Sequence, residues 1–283
     1  MKNKSSLAPK KMKPVKIIDG VQVSSTHCGL KKNKKDDLVL IKLEKPGEIL
    51  GCFTKSKTPG EPILWNKKII KKNKVSAILI NSGNANVFNG DAGKKSVTKI
   101  TNYLSLQLKI PKDEIYLAST GVIGEPLNDS KIIKKIPFLI QNLGNNVKLW
   151  EKAANAIRTT DTFSKFHSET FSNEKFLFIN GIAKGSGMVH PNMATMLSFI
   201  FTNYDFKSSN LINDFRRIVD KTFNSISIDS DTSTSDMVLL FSIKGEKSFK
   251  NKNQLKLTFL EKLEKVMLEL AHLIVKDGEG ASK

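Results

Sequence analysis

Five apolar runs, at 38–43, 75–80, 176–182, 197–202 and 238–243, are too short for ordinary helices and rich in β-branched and aliphatic residues. They predict core strands, and a chain that buries that many strands needs helices to cover the sheet faces. One such helix is legible near the end. Leu260, Leu263, Val266, Met267, Leu270, Leu273 and Ile274 recur at three-to-four spacing and form one apolar face, which Asp277-Gly278 can terminate. Residues 150–158 and 211–223 also read as helical, and 115–118 as a further strand-like run. The expectation is an α/β or α+β protein of one or two domains, since 283 residues with 39% hydrophobic content can bury a sizeable core. No internal repeat is visible, and a linker is expected around Gly144-Asn145-Asn146.

Between the third and fourth apolar runs lies Lys184-Gly185-Ser186-Gly187-Met188-Val189-His190-Pro191-Asn192-Met193-Ala194-Thr195-Met196-Leu197. Here one threonine stands behind a small residue, between a glycine-rich turn and a strand. A threonine hydroxyl attacks a carbonyl usefully only when a base takes its proton, and a free amine on the same residue can be that base. Thr195 is internal, so the Ala194–Thr195 bond would first have to break, with the Thr195 hydroxyl attacking the Ala194 carbonyl in an N-to-O acyl shift. Taken alone, Gly-Ser-Gly and Pro-Asn read more readily as an ordinary loop before a strand.

Other chemistries find little support. The formal net charge of +19 raises nucleic-acid binding. The lysines, however, are scattered in pairs such as Lys31-Lys32, Lys67-Lys68, Lys71-Lys72 and Lys134-Lys135, and Arg158, Arg216 and Arg217 are the only arginines. A solvated lysine surface is the reading, with no specific nucleic acid as partner. Gly90-Asp91-Ala92-Gly93-Lys94-Lys95 imitates a phosphate loop but has Phe88 where that loop needs glycine and Lys95 where it needs Ser or Thr. A calcium loop starting at Asp229 would carry Thr234 and Leu240 where glycine and glutamate belong. His27, His167, His190 and His272 show no metal-ligand spacing, so no metal site is expected; His190, near Thr195, is the one of interest. Cys28 and Cys52 read as reduced thiols. With no membrane-length apolar run and no secretory or transit pattern in the lysine-rich start, a cytoplasmic protein is expected.

Six segments in order resemble the motifs of the ornithine acetyltransferase family of arginine biosynthesis, the bifunctional glutamate N-acetyltransferases. Besides 183–197 they are Asn81-Ser82-Gly83-Asn84-Ala85-Asn86, Ser119-Thr120-Gly121-Val122-Ile123-Gly124, Thr159-Thr160-Asp161-Thr162, Asp231-Thr232-Ser233-Thr234 and Asp277-Gly278-Glu279-Gly280. The resemblance implies sheets packed between helical layers in an N-terminal-nucleophile-like acyltransferase fold. It implies autocatalytic cleavage between Ala194 and Thr195 into an α chain, 1–194, and a β chain, 195–283, assembling as a heterotetramer of two of each. Thr195 would be the nucleophile, Thr120 and Gly121 the oxyanion hole, and Thr159, Lys184, Thr195 and Glu279 the substrate contacts, with 229–236 in the site wall. N-acetylornithine would donate acetyl and glutamate accept it, without a cofactor; the family also admits acetyl-CoA as an acetyl donor. Family members continue past the Asp277–Gly280 motif through a segment with two further substrate contacts. The expectation is therefore a fragment, a split product completed by a partner, or an impaired enzyme. Rival readings are an N-terminal-nucleophile amidase or aminopeptidase that passes the acyl group to water, and a noncatalytic basic binding protein.

Overall fold

In a computed structural model, which describes residues 4–12, 14–171, 177–191, 196–243 and 252–280 (side chains of 209 and 252 excepted), all five apolar runs become strands. Position 176 of the third run lies outside the described residues. The chain runs β1 (Val21–Thr26), β2 (Leu38–Phe53), α1 (Glu61–Ile69), β3 (Lys74–Asn84), α2 (Gly90–Leu108), β4 (Ile115–Val122), α3 (Asp129–Gln141) and α4 (Val147–Ala156). It continues through β5 (Lys165–Phe171), β6 (Leu177–Lys184), β7 (Leu197–Thr202), α5 (Ser208–Lys221), β8 (Met237–Ser242) and α6 (Lys252–Val275).

These strands form one hydrogen-bonded sheet in the order β4-β3-β2-β8-β7-β6-β5, with β1 paired to β2. The β3–β4 and β7–β8 pairs are parallel and the others antiparallel. Strand β2 is longer than its apolar run because it crosses an irregularity between Lys42 and Gly47, where exposed Glu44, Lys45 and Pro46 interrupt the pattern. Gly47 is required there, since a β-carbon would lie 2.0 Å from the Ser242 carbonyl oxygen. Beyond the irregularity Glu48 pairs with both Lys74 and Ser242, so β2 belongs to both halves of the sheet.

Five strand spacings separate β4 from β6, about 24 Å in a flat sheet at ~4.8 Å each. Yet Lys184, at the end of β6, reaches Thr120 of β4 at 3.2 Å. The sheet therefore folds over at β2 and its halves face each other. Val39, Ile41, Ile78 and Ile80 from one half share a core with Phe199, Phe201, Leu239 and Phe241 from the other. Phe201 stacks on Phe241 at 4.5 Å and meets the edge of Trp150 from α4 at 5.2 Å. Helices α2 and α3 cover the outer face of the first half, and α5 and α6 that of the second. The result is the expected helix–sheet–sheet–helix layering, made from a single folded sheet.

Residues 144–146 are not a slack linker. Gly144 exchanges backbone hydrogen bonds with Val23, the Asn145 side chain donates to the Ile18 carbonyl, and Asn146 caps α4 by accepting from the Leu149 N–H. Residues 90–95, which imitate a phosphate loop, are the first turns of α2.

Candidate active site

Folding the sheet brings the ends of β4 and β6 together, and the residues there are polar and buried. Thr120 is 7% exposed and Lys184 3%. Lys184 Nζ donates to Thr120 Oγ1 at 3.2 Å. Burial lowers the Lys184 pKa from its ordinary value, opposed by the carboxylates of Asp161, Asp236 and Glu279 and assisted by Lys165. The next residue, Gly121, has φ +131°, and a β-carbon on it would lie 2.4 Å from the Gly83 carbonyl carbon. Only glycine lets these backbones approach so closely.

Asp161 organises the next wall. Its Oδ2 accepts from the Thr159 N–H at 3.1 Å, and its Oδ1 from the Gly185 N–H at 2.7 Å and from Lys165 Nζ at 2.7 Å. Burial pushes the Asp161 carboxyl up, but the Lys165 and Lys184 ammoniums and the Gly185 amide outweigh it and hold the group well below the usual carboxylate range. Thr160 and Ser186 join through their hydroxyls at 2.7 Å, and the Ser186 carbonyl accepts from the Glu279 N–H at 2.5 Å. The Glu279 carboxylate borders Gly187, where a β-carbon would meet its Oε2 at 3.1 Å. Thr120, Thr159, Lys184 and Glu279 are thus linked through one another's neighbours, whereas Gly121 meets the group through Thr120 and the Gly83 backbone.

Ala194 and Thr195 lie outside the described residues, but the chain on either side of 192–195 is held from 229–236. Asp229 accepts from the N–H groups of Met188 and Val189, and Asp236 Oδ1 accepts from the Met196 N–H at 2.8 Å. Leu197 pairs with Lys184. His190 is half-buried, and its Nδ1 is buried without a hydrogen-bond partner among the described residues.

Two lysines escaped the sequence reading. Lys165 is fully buried between Asp161, four residues before it, and Asp277, which no local pattern announces. Lys31, read as part of a solvated pair, instead donates to the carbonyls of Ala156 and Asp36, and burial lowers its pKa to about 8. Its only local signal is the Asp36-Asp37 pair downstream. Among the described residues no three metal-ligating side chains converge, and no helix is long and apolar enough to cross a membrane.

The sequence profile of the ArgJ family matches residues 22–283. The chain belongs to the ArgJ family. It is thereby an enzyme of arginine biosynthesis. It is 38% identical over 284 residues to the arginine biosynthesis bifunctional protein ArgJ of Bartonella henselae, covering 98% of this chain and 68% of that one. The crystal structure of the ArgJ protein of Bacillus halodurans is similar at 31% identity and TM-score 0.56, over 62% of this chain and 92% of that chain. Ornithine acetyltransferase from Mycobacterium tuberculosis, solved with ornithine, shares the fold at 24% identity and TM-score 0.58, over 69% of this chain and 97% of that one. An aminopeptidase from Ochrobactrum anthropi described as a variant of the Ntn hydrolase fold shares it too, at 9% identity and TM-score 0.54, over 98% of this chain and 89% of that chain.

Proposed function

We propose that this ArgJ-family chain carries an acetyl group from N-acetylornithine to glutamate through an ester on Thr195. The 3.2 Å contact of Lys184 Nζ with Thr120 Oγ1 supports the reading most directly. An ammonium can only donate, so Thr120 accepts there and its own proton is left for an oxygen that turns negative in a tetrahedral intermediate. The Gly121 N–H is the second donor, and Thr195 is bonded to Met196, whose amide is fixed on Asp236.

Two stages follow. First, the Thr195 hydroxyl attacks the Ala194 carbonyl, the peptide C–N bond breaks, and water hydrolyses the resulting ester, leaving chains 1–194 and 195–283. The freed amine then takes the hydroxyl proton as Thr195 attacks the acetyl carbonyl, and ornithine departs with a proton on its nitrogen. Glutamate's amine attacks the ester, taking the acetyl group and returning the hydroxyl to Thr195. Lys184 meets the substrate carboxylate, Glu279 the ornithine ammonium, and Thr159 lines the same site. The reading needs no cofactor, admits acetyl-CoA as a second donor, and extends to a cytoplasmic tetramer of two α and two β chains.

The test is expression followed by intact-mass measurement and an acetyl-transfer assay. Two fragments whose masses sum to the uncleaved chain plus one water, together with glutamate-dependent ornithine release, are expected. Thr195→Ala should abolish both. Transfer by an uncleaved chain, or by Thr195→Ala, sinks the assignment. The shared fold with an aminopeptidase favours a second reading, in which water takes the acyl group. Acetate release indifferent to glutamate would select it.

A further inference from the structure

The proposed chemistry leaves one buried cluster unused. Lys165, Asp161 and Asp277 have fully buried side chains, and the Lys165 ammonium bridges Asp161 Oδ1 at 2.7 Å and Asp277 Oδ2 at 2.6 Å. It also donates to the Phe163 carbonyl at 3.4 Å. Asp277 accepts in turn from the Thr162 N–H at 2.9 Å and from the Thr162 hydroxyl. Ser5 closes the cluster from outside, its N–H on Thr162 Oγ1 and its hydroxyl on the Lys276 carbonyl.

Ionised groups taken out of water stabilise a fold no better than apolar residues of similar volume would, so stability does not account for such a cluster. What it supplies is location. Asp161 holds the amides of Thr159 and Gly185. Asp277 stands two residues before Glu279, whose amide reaches the Ser186 carbonyl in the same turn as Lys184 and Gly185.

We propose that Lys165 is a positioning residue: by bridging Asp161 and Asp277 it clamps the chain leaving α6, and with it Glu279, onto the segments that carry Thr159 and Lys184. That Glu279 so held meets the substrate ammonium rests on the acetyltransferase reading.

The variant Lys165→Met/Asp277→Asn removes one charge of each sign at nearly constant volume. Amide hydrogen exchange reads the clamp without any ligand. Exchange about tenfold faster is expected at Glu279 and Gly185, with residues 263–270 of α6 unchanged. Asp277→Asn alone, which keeps Lys165 on Asp161, should loosen Glu279 and leave Gly185 protected; it also serves if the double variant does not fold. Unaltered exchange at Glu279 in either variant overturns the proposal. Calorimetric binding of ornithine reads the consequence. The double variant should bind about tenfold more weakly than the unchanged chain, but lose less than about twofold in a Glu279→Gln background, because Lys165 acts through Glu279. Equal losses in both backgrounds overturn the positioning role. Faster exchange in a protein whose unchanged form binds no ornithine supports the clamp and refutes the acetyltransferase reading instead.

Discussion

Thr120→Val keeps the branched shape of a side chain that is 7% exposed and deletes one oxygen. Lys184 Nζ then loses the acceptor it has at 3.2 Å. A buried hydrogen bond to a charged group contributes about 1.5–3 kcal/mol. At about 2 °C per kcal/mol for a chain of this size, the melting temperature should fall by roughly 4 °C. The effect on rate is larger. An oxyanion donor is worth about 3 kcal/mol in the transition state, and at about 1.4 kcal/mol per decade kcat should fall roughly 10²-fold. KM should barely move, because the charge that Thr120 stabilises exists only in the transition state. Thr120→Ser retains the oxygen and should stay within about threefold of the unchanged enzyme. The assay is ornithine release from N-acetylornithine in the presence of glutamate, on cleaved protein, alongside scanning calorimetry. A Thr120→Val enzyme within about threefold in kcat, a difference below about 0.7 kcal/mol, would refute the oxyanion assignment whatever its melting temperature.

Gly121→Ala forces a β-carbon against the Gly83 backbone at φ +131°; the melting temperature should drop by at least about 4 °C, and an unchanged melt would contradict the close packing of β3 and β4. Asp161, with its folded pKa depressed, stabilises the protein fully above the unfolded value near ~4 and progressively less as pH falls toward the folded pKa. The urea midpoint should therefore decline between about pH 5 and pH 3, and Asp161→Asn should flatten that decline; equal slopes in the two proteins would remove Asp161 from the account. Burial, joined by Asp37 at Cys28, pushes the Cys28 and Cys52 thiols up to about 12. At pH 8 only about one in 10⁴ is thiolate, so iodoacetamide should label the native protein far more slowly than the urea-unfolded chain, and equal rates would exclude the buried environment.

The elements legible in advance were those whose own side chains carry the period. Leu197–Thr202 is buried at every position, and the apolar face of α6 repeats every three or four residues. Helix α2 was missed because its buried face consists largely of Gly93, Ser96, Val97, Ile100, Thr101 and Leu104, half of them small or hydroxylated residues that look polar in a sequence. Strand β5 was missed for another reason. Its sequence, Lys-Phe-His-Ser-Glu-Thr-Phe, lacks apolar continuity, and Lys165 is buried because Asp161, just before the strand, and Asp277, arriving from beyond α6, together neutralise it.

The candidate site divides along the same line. Resemblance of short motifs to those of the family names Thr120, Gly121, Thr159, Lys184, Ala194, Thr195 and Glu279, because each motif is a property of the local chain. What no spacing contains is that Thr120 and Lys184, five strands apart in the sheet, touch. That contact comes from a fold at β2, where exposed Glu44–Pro46 and an obligatory Gly47 let one sheet become two facing layers. Burial of Lys184, the lowering of its pKa, and the bridge from Lys165 to Asp277 likewise need the tertiary structure. They arise from desolvation and charge pairing between segments distant in sequence, which packing alone brings together, whereas the Asp161–Lys165 pair lies within four residues of chain.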